Sequence, residues 1–237
     1  MSLLNLISPV IGAPILPDPL PIDPVPLLRA WLDEAMTARR EPDPNAFVLA
    51  TADSNGRPSS RVVLCKAIEA PHGAVVFYTN YDSRKGRELA GNPFASGAFH
   101  WAFAGRQARV EGFVTRCTPE ESDAYFATRP ILSRLGAWAS AQDNVLERRR
   151  DLVERVAALA ERFGVSAPML LNDKAQADIP RPPNWGGFRV WPTRIELWVA
   201  GKWRLHDRGE WTRSVTPATD GAAAPEMGSW KATRLQP

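Results

Sequence analysis

The chain has 237 residues, 44% hydrophobic and 23% charged, with a net charge of +3 and a pI near 9.1. That is enough chain for one domain with a substantial core, and no apolar run approaches the roughly 18 residues of a membrane span. The mild basicity is spread out rather than gathered into a nucleic-acid-binding motif. Cys65 and Cys117 make neither a disulfide framework nor a zinc spacing, so reduced thiols and a cytoplasmic location are expected.

Residues 1–24 carry six prolines and no basic n-region, which reads as an irregular arm rather than a signal peptide. A single domain is expected over 25–237. Residues 25–40 space Leu28, Trp31, Leu32 and Ala35 at helical intervals. Two β-rich runs then flank Asn55-Gly56, a hairpin signal, and AVVFYTN (74–80) is a third strand. Residues 83–91 form a short helix with Ser83 as N-cap and Gly91 as stop. The runs ASGAFHWAF and QARVEGFVTR are strand-like. Thr118 and Glu121 form a capping box that opens a helix through Phe126. A further helix covers about 144–164, with Leu152, Val156, Leu159 and Phe163 on one face. Arg148, Arg149 and Arg150, followed by Asp151 and Glu154, read as a solvated face of that helix. Residues 165–184 read as a loop. Three strands follow, GFRVWP, RIELWVA and KWRLHDRGEW, then a mobile hairpin loop over 214–228 and a last strand, WKATRL. The pattern specifies an α+β fold, a mostly antiparallel barrel with peripheral helices.

Four groups of residues could carry chemistry. In SSRVVLCK (59–66), Arg61 and Lys66 are five positions apart, so on one strand they point to opposite faces. In YTNYDSRK (78–85), Ser83, Arg84 and Lys85 start a helix, where free N–H groups favour an anion and cations need a negative ligand. In YFATRPILS (125–133), Tyr125 and Arg129 share a helix face, and Ser133 is either a ligand or an ordinary cap. On a strand, Arg204, His206 and Arg208 share a face. His72, His100 and His206 lie far apart in the sequence, so no metal site is expected.

Together these segments resemble the FMN-dependent pyridoxine/pyridoxamine 5'-phosphate oxidases. The resemblance rests on RVVLCK (61–66), FYTNYDSRKGREL (77–89), RQARVEG (106–112), YFATRPILSRLGAWAS (125–140), PPNWGGFRV (182–190), IELW (195–198), RLHDR (204–208) and the terminal RLQP, in that order. It implies an FMN-binding split β-barrel, a homodimer with sites at the subunit interface. Arg61, Arg84 and Lys85 match ligands of the FMN phosphate, and Tyr78 and Thr79 match the segment lining the flavin. Gln107, Gln142, Trp198 and Arg208 match residues around the flavin ring and tail. Lys66, which also lies in the FMN-binding run, joins Tyr125, Arg129 and Ser133 in the clamp on the substrate's 5'-phosphate. Arg204 and His206 match the residues that hold the substrate's pyridine ring and serve catalysis.

The implied reaction, part of vitamin B6 metabolism, takes a hydride equivalent from C4' of pyridoxine or pyridoxamine 5'-phosphate, gives pyridoxal 5'-phosphate, and reduces O₂ to H₂O₂. Three features depart from the family pattern. The arm lacks an R-x-E-Y-like lid segment. Gln142 is followed by Asp143 where a serine is usual, and an acid beside a phosphate is expected to point away from it or to alter affinity. Residues 165–181 form a longer segment than usual. A related FMN oxidase of a phenazine precursor, or a non-catalytic binder of FMN or pyridoxal phosphate, are the alternative readings. Lys66 and Tyr125 favour a phosphorylated substrate over the first, and the RLHDR segment argues against the second.

Overall fold

A computed structural model describes residues 16–172, 177–217 and 224–237. Helix α1 (Val25–Ala38) has Pro26 in its first turn and ends on Arg39 in the left-handed region. Its apolar stripe, Leu28, Trp31 and Ala35, is buried as expected, and a leucine that becomes fully buried contributes about 2 kcal/mol. Strands β1 (Ala46–Ala52) and β2 (Pro58–Leu64) pair as the Asn55-Gly56 hairpin, with Gly56 at φ 77°. Short β3 (Ala67–Glu69) and β4 (Ala74–Asn80) form a second antiparallel pair. Helix α2 (Arg84–Gly91) follows, then β5 (Phe94–Trp101) and β6 (Arg106–Arg116).

Three helices come next: α3 (Pro119–Ala127), α4 (Ile131–Ala139) and α5 (Arg149–Arg162), with a helical turn, α6, at Ala167–Leu170. The sheet resumes with β7 (Trp185–Val199) and β8 (Asp207–Thr212), passes the small hairpin β9 (Val215–Thr216) and β10 (Glu226–Met227), and closes with β11 (Lys231–Leu235).

Among the described residues, nine strands join in one antiparallel sheet, in the order β11–β8–β7–β6–β5–β1–β2, with β4 on β7 and β3 on β4. Strand β7 is the pivot. It runs along β6 over residues 188–199, while its other edge pairs with β4 over residues 185–190 and with β8 over residues 194–199. The change of partner coincides with Pro192, which lacks an N–H, and with a register shift at Glu111/Gly112. A Cβ on Gly112 would lie 1.9 Å from the Trp191 carbonyl oxygen, so the bulge requires glycine. The sheet therefore divides into two wings at β7. It also curls, because Phe47, Phe77, Phe99, Val110, Ile195 and Trp211, from six strands, meet in one core. This is the split, mostly antiparallel barrel expected from the sequence. A second core joins α3, α4 and α5 to the first residue of β7 through Phe126, Leu135, Ala160 and Trp185.

Several elements differ from expectation. Helix α4 was not foreseen, and α5 starts at Arg149 rather than near 144. Asn92, not Gly91, caps α2. GFRVWP and RIELWVA are one strand, because the bulge absorbs the proline. KWRLHDRGEW is not one strand: residues 202–204 form a 3₁₀ turn with Trp203 at φ 58° and Arg204 at φ 64°, and pairing starts at Asp207.

The 165–184 segment contains α6. Its described end is tied to α4 by Arg134 Nη1 donating to the Ala177 carbonyl (2.9 Å) and Trp138 Nε1 to that of Pro180 (2.7 Å). The expected loop over 214–228 is framed by β9 and β10, and its central residues 218–223 lie outside the described residues. Of the arm, residues 16–24 lie against β8: Leu16 is buried with its N–H on Asp207 Oδ2 (2.8 Å), and Trp211 Nε1 donates to the Pro21 carbonyl (2.7 Å). Cys65 and Cys117 are free and buried, and burial pushes both thiols up to about 12, which keeps them protonated. No helix among the described residues is long and apolar enough to cross a membrane.

Candidate active site

A cavity of about 750 Å³ lies between β2, β4, the N-terminus of α2 and the α3–α4 flank. It gathers ten of the residues singled out from the sequence: Arg61, Lys66, Tyr78, Thr79, Arg84, Lys85, Tyr125, Arg129, Ser133 and Gln142. Strand alternation misplaced Lys66. It follows the end of β2, beyond Cys65, so it escapes the two-residue period and lines the same cavity as Arg61. Arg129 lies beyond the C-cap of α3, and Ser133 is inside α4 rather than capping it.

One end of the cavity is built on β2, β4 and α2. Ser83 caps α2 by accepting from Gly86 N, which leaves Arg84 and Lys85 in the first turn. Lys85 is buried, and its Nζ donates to Thr79 Oγ1 (3.2 Å) and Ser83 Oγ (3.0 Å). Burial lowers its pKa, and the positive charge of Arg61 acts in the same direction. Arg61 donates to Thr51 Oγ1 (2.6 Å), to the Leu49 carbonyl (3.2 Å) and to Ser59 Oγ.

Beneath these cations lies Glu88, a residue the sequence reading passed over. It is buried, bonded by Thr51, Ser59 and Arg84 Nε (2.8 Å), with Arg61 Nη2 at 3.4 Å. Burial pushes its carboxyl up, but the hydrogen bonds from Ser59, Thr51 and Arg84 outweigh it and hold the group at about 2. The available signal was its position: Glu88 is four residues beyond Arg84 on one helix face.

The other end is aromatic and cationic. Tyr78 stacks on Tyr125 at 3.9 Å and on Trp185 at 5.5 Å. Burial raises the Tyr78 hydroxyl to about 12, so it stays a neutral donor. Arg129 lies over Trp185 at 4.7 Å, and Lys66 Nζ is 5.9 Å from the Tyr125 ring. Arg129 Nη1 is buried with no hydrogen-bond partner among the described residues, and burial pushes the guanidinium pKa down. A buried, orphaned guanidinium nitrogen is costly unless a ligand supplies the acceptor. The donor set fits two anionic groups and a flat ring between them.

The remaining five residues lie elsewhere. Gln107 on β6, Trp198 on β7 and Arg208 on β8 are directly opposite one another, so they share a face, and exposed His100 on β5 extends the row. The row belongs to the far end of β7. Tyr78 pairs with Gly187, whereas Gln107 pairs with Trp198, eleven residues on, which is about 36 Å of strand. Arg208 is held by buried Glu196 (Nε to Oε1, 2.9 Å) and by the Gln236 carbonyl (3.0 Å).

The shared strand face expected for Arg204, His206 and Arg208 does not exist, because the backbone turns before Asp207. Exposed Arg204 belongs to the 3₁₀ turn. His206 Nδ1 accepts the Gly201 N–H at 3.2 Å, and its ring lies 4.6 Å from Trp198. That bond makes Nε2 the protonated nitrogen of the neutral ring. Asp143 does not point away: it lines the cavity, with Oδ2 accepting the Arg84 N–H at 2.7 Å, which leaves the other expected outcome, an effect on affinity.

Comparisons with known proteins give a consistent result. Residues 32–163 match the family profile described as pyridoxamine 5'-phosphate oxidase, and residues 185–237 match the pyridoxine 5'-phosphate oxidase C-terminal dimerisation region. The chain is 45% identical over 215 residues to a pyridoxine/pyridoxamine 5'-phosphate oxidase of Burkholderia ambifaria, covering 91% of this chain and 89% of that one. It is 46% identical, with the same coverage, to the protein of that name from Methylibium petroleiphilum. Among solved structures, PhzG of Burkholderia lata in complex with tetrahydrophenazine-1-carboxylic acid superposes with a TM-score of 0.77 at 33% identity, over 95% of this chain and 100% of that one. A pyridoxamine 5'-phosphate oxidase-related, FMN-binding protein of Nostoc punctiforme shares the fold, with a TM-score of 0.64 at 14% identity over 90% of this chain and 96% of that one.

Proposed function

The chain belongs to the pyridoxine/pyridoxamine 5'-phosphate oxidase family, and from that premise we propose that it is an FMN-dependent oxidase of pyridoxine and pyridoxamine 5'-phosphates. The observation that carries the reading is the cavity with two cationic ends, one of them the orphaned Arg129. Two phosphorylated molecules, cofactor and substrate, need two such ends. Arg61, Lys85 and the first turn of α2 hold the phosphate of FMN. Lys66, Arg129 and the hydroxyls of Tyr125 and Ser133 hold the 5'-phosphate of the substrate through charge-assisted hydrogen bonds. When bound, FMN supplies the hydride acceptor and the reaction with O₂ that yields H₂O₂.

The site is completed by a second copy of the chain. Trp198, Arg204, His206 and Arg208 lie within the matched dimerisation region, remote along β7 from the cavity of their own chain. In a two-fold dimer they face the partner's cavity, as do Gln107 and Trp198 with the flavin ring. Arg204 and His206 then position the pyridine ring, with His206 Nε2–H aimed at its phenolate oxygen. His206 is fit for that task because Gly201 N and the Trp198 ring set its tautomer and its plane.

Mixing subunits tests this. With pyridoxine 5'-phosphate held well below the native KM, Arg129→Ala and Arg204→Ala chains each retain at most about 3% of native turnover, but their heterodimer contains one intact site. Random reassociation restores about one quarter of native activity. No recovery would place both residues in one chain's site. Turnover is measured as H₂O₂ and pyridoxal 5'-phosphate formed from pyridoxine 5'-phosphate. A second reading, oxidation of a reduced phenazine carboxylate, draws support from the superposition on PhzG. It predicts turnover of such a carboxylate in preference to the phosphorylated vitamer.

A further inference from the structure

We propose that Asp143 is a built-in competitor for the anion end of the cavity, and so sets the affinity for the cofactor's phosphate. The proposal rests on the preceding reading of that end as the FMN-phosphate site. The N–H of Arg84, the first of α2 that a helical partner cannot use, is already bonded to Asp143 Oδ2 at 2.7 Å. The carboxylate thus occupies the place where a phosphate oxygen would meet the helix. Its charge is felt by Lys85, whose protonated form it favours against burial and against Arg61.

The backbone is bent to deliver this contact. Asp143 sits at φ 69°, in the left-handed region that few non-glycine residues enter. The neighbouring Gln142 Oε1 lies 3.4 Å from Thr79 Oγ1, the hydroxyl that also receives Lys85 Nζ. Gln142 and Asp143 therefore fasten the exposed segment between α4 and α5 to the Thr79 hydroxyl and the first N–H of α2. The Asp143 contact is itself exposed, and water screens it, so an incoming dianion displaces it at modest cost. Binding of the phosphate then exchanges one anion for another on Arg84 N and leaves the displaced carboxylate nearby. Both effects oppose binding: the repulsion vanishes with the charge, and the competition for the Arg84 N–H vanishes with the side chain.

The test uses the full-length protein freed of flavin, titrated with FMN and, separately, with riboflavin, which lacks the phosphate, by quenching of flavin fluorescence. Asp143→Asn keeps the size and tolerates positive φ, and Asp143→Gly removes the side chain without strain. Both variants are expected to bind FMN about tenfold more tightly than the native chain, with riboflavin affinity unchanged. FMN affinity equal to or weaker than native in both variants overturns the proposal, as does an equal gain for riboflavin. A native chain that binds no FMN overturns the functional reading along with it, which separates the two failures.

Discussion

The α2 end of the cavity and the 201–206 turn both present cations and polar groups, but they are built differently. Around α2, the chain braces each group before any ligand arrives. Arg61 has Thr51, Ser59 and Glu88, and Lys85 has Thr79 and Ser83. In the turn, Arg204 is exposed on a left-handed residue, and His206 is oriented by the Gly201 N–H and the Trp198 ring. An anchor for a phosphate can be pre-built on a strand and a helix start. On the proposed reading, the groups that act on the reacting ring serve a second subunit's site, and they stand on an exposed turn beyond the end of β7.

The sharpest way to break this comparison is to remove the projecting groups. Arg204→Ala or His206→Ala is expected to lower kcat roughly a thousandfold while FMN stays bound, measured by turnover and flavin absorbance. Loss of flavin in either variant would make the turn part of the anchor.

Next comes Glu88, the brace of the other region. Its folded carboxyl, held at about 2 against an ordinary value of 4.5, contributes about 3 kcal/mol that is complete above pH 4.5 and lost as pH falls towards 2. Urea unfolding across that range should show the loss in the native chain and a flatter profile in Glu88→Gln.

If Arg129 clamps the substrate phosphate as proposed, Arg129→Ala removes binding that acts alike on bound substrate and transition state. An about thirtyfold rise in KM with kcat nearly unchanged is expected, and an equal fall in kcat would reassign Arg129 to the chemical step. The smallest effect falls outside both regions: Arg150→Ala breaks an exposed pair with Glu154 and should change stability by less than about 0.5 kcal/mol.

Much of the cavity was legible in the linear pattern. Ser83 as N-cap, the Thr118/Glu121 capping box and the Asn55-Gly56 hairpin are local devices, and each appears where its residues stand. Errors came where a residue left its element. Lys66 follows β2, Trp203 and Arg204 turn before β8, and α4 lacks a side-chain N-cap that could announce it. For Asp143 the charge argument left two outcomes, pointing away or altering affinity, and the contact of its carboxylate with the first N–H of α2 decides against the first.

By itself, the sequence determined the local grammar: which runs alternate for a sheet, where helices start, and which cations gather near an anion-binding helix end. These are properties of neighbouring residues, set by backbone sterics and by donors that must find acceptors. Only the tertiary structure decided the division of the candidate site. Strand β7 exchanges β4 for β8 at the Pro192 bulge, and that change of partner puts Tyr78 and Trp198 at opposite ends of one strand. No spacing along the chain encodes that separation, because it depends on the pairing of β4 with β7, between residues more than a hundred positions apart.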